Sequence, residues 1–209
     1  MIISHKHKYI FIKPTKVAGT SLEVALAESC GKEDIITPIT EYSESSDDDR
    51  YEHLARNFDG YYNHLPPSEI KKKIRNDTWN NYYKFTVIRN PWDQVVSRYH
   101  WEKYRTEPDL VFNYFIENFE QKWTNTRFYF NAQGKLICDY YIRYENLYRD
   151  YKQVCDHLGI PNAKLPRLKS KHRKNRRHYS KYYNKKTRKI VRELFIKEIE
   201  CFNYQFQET

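Results

Sequence analysis

Cysteine and long apolar runs are scarce in this chain. Its 209 residues include only 4 Cys, which form neither a CxxC pair nor a spacing typical of metal ligands. We therefore expect no metal site, and free thiols rather than disulfides, as in a reducing compartment. No stretch approaches the ~18 apolar residues of a membrane span, and the apolar run after the basic N-terminus is too short for a signal peptide. These absences predict a soluble, cytoplasmic protein without a membrane span.

Hydrophobic residues as a whole make up only 39% of the chain, which is low for a globular protein. Aromatic residues compensate, because 20 Tyr and 11 Phe can bury large areas while their polar tips stay solvated or bonded. The chain is therefore expected to fold rather than to be disordered. Its length suits one core, so residues 1–209 are predicted to form a single domain.

Acidic residues are absent from residues 164–192, which contain 14 Lys and Arg. The rest of the chain holds 23 basic and 27 acidic residues, so the net charge of +10 arises in this one segment. Such a segment indicates an anionic partner, which could be nucleic acid, a nucleotide or a sulfated or acidic sugar. The segment is interpreted as a lid over a nucleotide, a platform for an anionic acceptor, or a solvated basic face.

Apolar strands alternate with helical patterns along the chain. Strands are predicted at residues 9–12, 85–88 and 136–144, and helices at residues 20–31, 68–76, 109–119, 146–157 and 184–200 and from Pro91 onward. This alternation predicts an α/β fold of three layers, with a central, mostly parallel sheet flanked by helices. Ligands of such sheets bind beyond the carboxyl ends of the strands, where the turns after residues 12 and 88 lie.

The first of these turns, residues 16–21, has the composition of an anion-binding loop. Gly19 lets backbone N–H groups approach an anion, the helix N-terminus adds partial positive charge, and Lys16 adds a full charge. Thr20 and Ser21 add hydroxyl donors. A nucleoside triphosphatase carries its Lys after the last Gly, whereas Lys16 precedes Gly19, so a Mg²⁺–triphosphate site is disfavoured. A loop that only caps the helix is the structural alternative.

The second turn, residues 89–97, offers another anion-binding group. Arg89 directly follows a strand and can hold a phosphate through two hydrogen bonds. Ser97 lies about two turns into the following helix and is able to donate to the same anion. In the alternative interpretation, Arg89 pairs with a carboxylate and Ser97 is a buried hydroxyl.

Together the two motifs resemble those of the sulfotransferases that use 3′-phosphoadenosine-5′-phosphosulfate (PAPS). The resemblance is to the branch that includes Golgi carbohydrate O-sulfotransferases and many soluble bacterial members. That family carries a K-x-x-G-T-S loop for the 5′-phosphosulfate and an R-N-P…S segment for the 3′-phosphate. An R-Y-E-x-L signature at residues 143–147 and a Lys-Ser…Arg…His-Tyr stretch at residues 169–179 are also similar. The resemblance covers residues 8–206.

The resemblance implies a P-loop-like fold and transfer of a sulfuryl group from PAPS to an acceptor hydroxyl, with a carbohydrate as the expected acceptor and no metal. It implies catalytic roles for Lys16 and for His64, the latter as the base that activates the acceptor. The donor-binding residues that it implies are Lys16, Ala18, Gly19, Thr20, Ser21, Arg89, Ser97 and Arg173. Segment 164–192 would then be a lid over the nucleotide or the acceptor.

Two departures from the family pattern affect accessory positions. Thr15 stands where the loop usually has Pro, with Pro14 one place early, and Gln94 stands where a basic residue is usual. Two other functions stay open: a nucleic-acid-binding module built on the Tyr-rich basic segment, and a P-loop-type nucleotide kinase. The former explains the basic segment but not the two anion-binding turns, so nucleic acid is not the expected partner.

Overall fold

The computed structural model describes residues 1–39, 54–166, 168 and 177–208. These residues group into two compact units, the first of Met1–Ile88 and Arg127–Leu168, the second of Arg89–Thr126 and Lys169–Thr209. The acidic residues 41–49 and part of the basic segment lie outside the described residues. Two compact units can belong to one domain or to two, so the single domain stays a prediction.

Five strands form one mixed sheet in the first unit. The strands are β1 (Ile2–Ser4), β2 (Tyr9–Phe11), β3 (Ile35–Ile36), β4 (Tyr83–Ile88) and β5 (Tyr140–Arg143), in the spatial order β3-β1-β2-β4-β5. β2, β4 and β5 run parallel, whereas β1 pairs antiparallel with β2 and with β3. The predicted α/β fold with a mostly parallel centre is confirmed, and two antiparallel strands extend one edge.

Helices precede and follow these strands along the chain. The α-helices are α1 (Gly19–Ala27), α2 (Pro67–Lys73), α3 (Asn76–Asn81), α4 (Pro91–Arg105), α5 (Phe112–Glu117), α6 (Thr126–Tyr129), α7 (Leu147–Leu158), α8 (Lys185–Leu194) and α9 (Ile196–Cys201). Short 3₁₀ turns occupy Gln121–Trp123, Tyr144–Asn146 and Tyr179–Tyr182.

One face of the sheet carries the main core of the first unit. Phe11 and Phe85, which are partners in the β2–β4 ladder, stack with ring centroids 5.3 Å apart. Val87 and Ile142 continue this face, because alternate residues of a strand point the same way. Buried side chains of two helices join this core, namely Leu22, Ala25 and Leu26 of α1 and Tyr151, Val154 and Cys155 of α7. Their burial, worth ~1.5–3 kcal/mol for each large side chain, fixes α1 and the loop before it against the sheet.

The opposite face of the sheet is contacted by α6. The Tyr129 ring lies edge-on to Tyr141 of β5, with ring centroids 6.3 Å apart. The Tyr129 hydroxyl donates to the carbonyl oxygen of Val87 at 3.0 Å. The sheet therefore has helices on both faces, as the alternation of strands and helices predicts.

In the second unit, α4 is anchored at its N-terminal end. The indole Nε1 of Trp92 donates to the Arg188 carbonyl oxygen at 3.2 Å, and Asn90 Nδ2 donates to the Gln205 carbonyl oxygen at 3.1 Å. Further along α4, Tyr99 packs edge-on against Phe112, with ring centroids 5.1 Å apart. These contacts fix the first turn of α4, which follows Arg89 directly.

Several element boundaries differ from the sequence prediction. The helix predicted at residues 20–31 ends at Ala27, that at residues 109–119 spans Phe112–Glu117, and the strand predicted at residues 136–144 spans Tyr140–Arg143. The helix predicted at residues 184–200 is two helices, because Phe195 leaves helical geometry with φ −109° and ψ 20°. The helix predicted at residues 68–76 begins at Pro67 and ends at Lys73, and proline suits this start because it lacks an N–H that the first turn would leave unpaired. A separate helix, α3, follows it.

Candidate active site

The two strand ends that precede the predicted binding turns meet at one edge of the sheet. β2 and β4 are parallel neighbours, so Phe11 and Ile88 mark the same edge. Ile12 continues the pairing, because its N–H donates to the Phe85 carbonyl oxygen at 3.0 Å. Its own carbonyl oxygen accepts the hydroxyl of Thr86 at 2.9 Å. The loop from β2 to α1 therefore starts from a fixed point.

The backbone of this loop, residues 12–18, is strained. Lys16 and Ala18 both have positive φ, 60° and 64°, which residues with a Cβ rarely adopt. Such conformations cost on the order of 1–3 kcal/mol each and cluster at ligand-binding sites. Ala18 is also the N-cap of α1 and makes no side-chain cap hydrogen bond. The first-turn N–H groups of α1 are therefore suited to bind an anion.

Gly19 packs directly against the side chain of Lys13. A Cβ on Gly19 would lie 2.7 Å from Lys13 Cγ and 3.4 Å from Lys13 Cε. Packing against Lys13 therefore requires glycine at this position, in addition to the close approach of an anion that the sequence suggests.

The hydroxyl-bearing residues of the loop lie at the start of α1. Thr20 is half-buried and Ser21 is buried. Ser21 Oγ accepts the N–H of Leu168 at 3.4 Å. Because a hydroxyl can accept and donate at once, this contact leaves the Ser21 proton able to reach an anion.

A buried network of polar groups lies behind the loop and consists of Lys13, Glu23, Thr37 and the Met1 amino group. Lys13 Nζ pairs with Glu23 Oε2, and the Met1 amino group donates to Glu23 Oε1 at 2.5 Å and to Thr37 Oγ1 at 2.6 Å. Burial alone would raise the pKa of Glu23, but the Met1 amino group and Lys13 outweigh it and lower the pKa to about 2. Burial lowers the pKa of the Met1 amino group to about 5, against the attraction of Glu23. Glu23 is therefore a permanent charge beneath the loop.

His64 occupies a tight turn that Leu65 N–H closes on the Tyr62 carbonyl oxygen at 3.2 Å. Its φ of 61° belongs to the region that glycine and asparagine favour. His64 Nδ1 lies 2.9 Å from the carbonyl oxygen of Lys13. A carbonyl oxygen can only accept, so Nδ1 carries the hydrogen and the neutral ring keeps its lone pair on Nε2. The hydrogen bond to Lys13 thus orients the imidazole as well as setting its tautomer.

In the second unit, Arg89 precedes α4, and Asp93 and Ser97 lie one turn apart within it. Arg89 Nε and Nη2 donate to Asp93 Oδ2 at 2.9 and 2.7 Å, and the Arg89 side chain is 8% exposed. A carboxylate pair of this kind is the alternative that the sequence leaves open for Arg89. Ser97 is half-buried one helical turn beyond Asp93, and its hydroxyl has no hydrogen-bond partner among the residues that the structure describes. An anion that approaches Arg89 and Ser97 also meets Asp93.

The family-like stretch near the C-terminus is described only in part. Arg173, predicted to bind the nucleotide, lies outside the described residues, as do Lys169 and Ser170. The rings of His178 and Tyr179 lie 4.3 Å apart.

Lys13 and Glu23 are the residues of this region that the sequence prediction misses. Glu23 lies within the apolar helical pattern of Leu22, Ala25 and Leu26, all of which are buried. An acidic residue in such a pattern indicates a buried partner, because carboxylates are almost never fully buried unless paired. No comparable pattern distinguishes Lys13, because a lysine just after a strand is usually a solvent-exposed flanking residue.

Comparison with known proteins identifies the class to which these features belong. A family profile described as "Sulfotransferase family" matches residues 1–205, and the chain belongs to this family. It is therefore a transferase. An uncharacterized protein of Archaeoglobus fulgidus is 30% identical over 106 residues, which are 46% of this chain and 84% of that protein. A crystal structure of a sulfotransferase from Alicyclobacillus acidocaldarius aligns with 94% of this chain and 96% of its own, at 13% identity and a TM-score of 0.46.

Among the described residues, no helix is long and apolar enough to cross a membrane. Within those same ranges, no three His, Cys, Asp or Glu side chains cluster as metal ligands would. Cys30, Cys138, Cys155 and Cys201 are free thiols. Burial raises the pKa of Cys30 to about 11, so this thiol stays protonated at neutral pH.

Proposed function

We propose that this sulfotransferase moves the sulfuryl group of PAPS to a hydroxyl of a carbohydrate acceptor. One observation carries the proposal: the strained loop of Lys16 and Ala18, at the uncapped start of α1, includes Lys13, whose carbonyl oxygen accepts a hydrogen bond from Nδ1 of His64. An anion-binding loop and an oriented base on the same segment are what transfer of an anionic group to a hydroxyl requires.

The donors of the loop suit the phosphosulfate end of PAPS. They are the N–H groups from Ala18 to Ser21, the hydroxyls of Thr20 and Ser21, and the ammonium of Lys16. Sulfuryl transfer resembles phosphoryl transfer, in which the protein mainly positions the reactants and stabilises charge. Lys16 would neutralise the charge that builds on the bridging oxygen as its bond to sulfur breaks.

His64 would remove the proton of the acceptor hydroxyl. As the acceptor oxygen bonds to sulfur, its proton passes to Nε2, and adenosine 3′,5′-bisphosphate leaves. The hydrogen bond from Nδ1 to the Lys13 carbonyl oxygen supports this role, since it sets the tautomer in which Nε2 accepts.

The 3′-phosphate of the donor is assigned to Arg89 and Ser97, with Arg173 as a further contact. In this assignment Asp93 fixes the orientation of the Arg89 guanidinium through its two hydrogen bonds. The basic segment 164–192 would supply further positive charge to the nucleotide or to the acceptor.

The carbohydrate acceptor and a cytoplasmic location are the finer parts of the proposal. The acceptor class rests on the resemblance to the carbohydrate branch of the family. The location rests on the four free thiols, which suit a reducing compartment.

Mass spectrometry of products tests the proposal directly. The protein is incubated with PAPS and a panel of glycans and small alcohols, and one glycan is expected to gain a sulfuryl group. Adenosine 3′,5′-bisphosphate is expected to raise the melting temperature by binding the native state. Salt-sensitive binding of duplex nucleic acid without that response would instead support the nucleic-acid-binding alternative. A response to ATP and Mg²⁺ alone would support the kinase.

A further inference from the structure

The buried network joins the two functional parts of the first unit. We propose that Glu23 is a positioning residue, which acts through Lys13 to hold both the anion-binding loop and the Nδ1–H tautomer of His64. The catalytic consequence of this inference rests on the proposed function, whereas the structural consequence does not.

Different parts of Lys13 make three of its contacts. Its ammonium pairs with Glu23, its aliphatic stem lies against Gly19 at the start of α1, and its carbonyl oxygen accepts from His64 Nδ1. A movement of Lys13 is therefore transmitted to the loop and to the imidazole together.

Glu23 determines where the Lys13 side chain lies. One carboxylate oxygen pairs with Lys13, while the other accepts from the Met1 amino group and from Thr37 Oγ1, the latter at 3.2 Å. Thr37 is in turn fixed by the N–H that it donates to the Met1 carbonyl oxygen at 3.1 Å. The carboxylate is thus held from two sides, and no part of it is exposed to water.

The charge of Glu23 is essential to this arrangement. The Lys13 side chain is only 1% exposed, and Glu23 gives its ammonium a buried counter-charge. A cation left in a buried site without a counter-charge either loses its proton or moves toward water. Movement toward water would carry the stem of Lys13 away from Gly19. Either response ends the ion pair that anchors residue 13, whose carbonyl oxygen orients His64.

The test compares Glu23→Gln with the double variant Lys13→Met/Glu23→Gln. Breaking one partner of a buried pair destabilises a protein strongly, whereas replacing both groups by uncharged residues of similar volume is often tolerated. The double variant therefore separates positioning from stability. Asp139→Asn is the matched control, because it disrupts the contact of Asp139 with buried Lys84, at 3.4 Å, on β4.

The first measurement is ¹⁵N NMR of the imidazole rings, with His64→Ala to assign the His64 signals. Wild-type protein and Asp139→Asn are expected to show His64 with hydrogen on Nδ1. The double variant is expected to shift toward the Nε2–H form, which an unconstrained imidazole favours. This measurement needs no substrate, so it decides the inference even if no sulfuryl transfer is found.

The second measurement is turnover with PAPS. The double variant is expected to lose ~10-fold or more in kcat, as befits a misoriented general base, with a much smaller change in KM for PAPS. A folded double variant that keeps the wild-type tautomer and turnover would overturn the inference. If the double variant does not fold, Thr37→Val, which removes one neutral contact of Glu23, is measured by NMR in the same way. An unchanged His64 signal there would also count against the inference.

Discussion

At the scale of single residues, two residues with positive φ lie close together in the loop before α1. Lys16 and Ala18 each carry the strain of a conformation that glycine would adopt freely. If the backbone conformation were the only requirement, glycine at both positions would adopt it with less strain. We therefore expect the strain to be offset by the charge that Lys16 would contribute to a bound anion.

Replacement of Lys16 by Ala tests this role. Because Lys16 acts mainly on charge that appears in the transition state, we expect kcat to fall by ~10²-fold or more, with nucleotide affinity within about tenfold of wild type. Calorimetric titration of adenosine 3′,5′-bisphosphate and saturation kinetics give the two quantities. If the variant instead lost nucleotide affinity but kept normal turnover at saturation, Lys16 would contribute only to binding.

Replacement of His64 by Ala tests the base. The variant should keep its fold and its PAPS affinity but lose ~10²–10⁴-fold in turnover. The acidic limb of the pH–rate profile should disappear as well, since the group whose protonation causes it is gone. A variant that keeps this limb would show that the proton is accepted elsewhere.

Replacement of Arg89 or Ser97 by Ala tests the 3′-phosphate assignment. A hydrogen bond to a charged group contributes ~1.5–3 kcal/mol, so each variant should bind adenosine 3′,5′-bisphosphate more weakly, Arg89→Ala the more so. Affinity for adenosine 5′-phosphosulfate, which lacks the 3′-phosphate, should change little. Equal losses for both nucleotides would contradict the assignment.

The residues of the site were predictable from the sequence to unequal degrees. Gly19 and Lys16 belong to a local pattern that spans one turn, so the sequence alone is enough to propose them. Lys13 matters through its contact with Glu23, which depends on how α1 packs against the sheet. The tautomer of His64 depends on a contact between residues 51 positions apart. No local pattern encodes either contact.

At the scale of elements, two glycines with different environments allow a matched comparison. Gly159 ends α7 with φ 64°, and a Cβ there would meet nothing within 4 Å. Gly19→Ala, in contrast, should displace Lys13, so we expect a turnover loss on the order of 10²-fold from misplaced reacting groups. Gly159→Ala should cost about 1 kcal/mol of stability through its backbone conformation and leave turnover unchanged. Equal turnover in both variants would exclude the packing role of Gly19.

The elements that the sequence predicts are the long or strongly patterned ones. α7 is predicted nearly to the residue, because its apolar pattern is periodic and Gly159 and Pro161 end it. β1 and β3 are not predicted, since each contributes only two consecutive apolar residues, whereas β2 lies in the apolar run of residues 9–12. They are identified only by their pairing with β2 and with each other.

At the scale of the whole molecule, two buried carboxylates give the stability opposite dependences on pH. Glu23 has its pKa lowered to about 2, so its contribution is lost as the pH falls below its ordinary value. Burial raises the pKa of Glu198 to about 8, although the hydrogen bond from Thr126 opposes this rise. The folded state therefore holds a proton on Glu198 that the unfolded state releases, and stability falls as the pH rises from about 4.5 to about 8.

Glu198→Gln should remove this second dependence. Glu198 is 3% exposed and its Oε2 has no hydrogen-bond partner among the described residues, so a neutral amide of similar shape fits the site. We expect the variant to be more stable than wild type at and above neutral pH, by on the order of 3 kcal/mol. Urea unfolding at several pH values measures this difference. A variant whose stability gain does not grow with pH would exclude ionisation of Glu198 as the cause.

The parallel centre of the sheet has a consequence for how the chain reaches its native state. β2 can pair with β4 only after β4 has been synthesised, because the contact of Ile12 with Thr86 closes a segment of 74 residues. The contact of Lys84 with Asp139, which joins β4 to the chain before β5, closes another segment of 55 residues. Closing a long segment costs chain entropy before the new contacts stabilise the structure, and this cost slows folding. β1, β2 and β3, in contrast, lie close together in the chain and pair antiparallel. During synthesis this hairpin-like edge is able to form first, so the loop of Lys16 acquires its fixed strand ends only after β4 has left the ribosome.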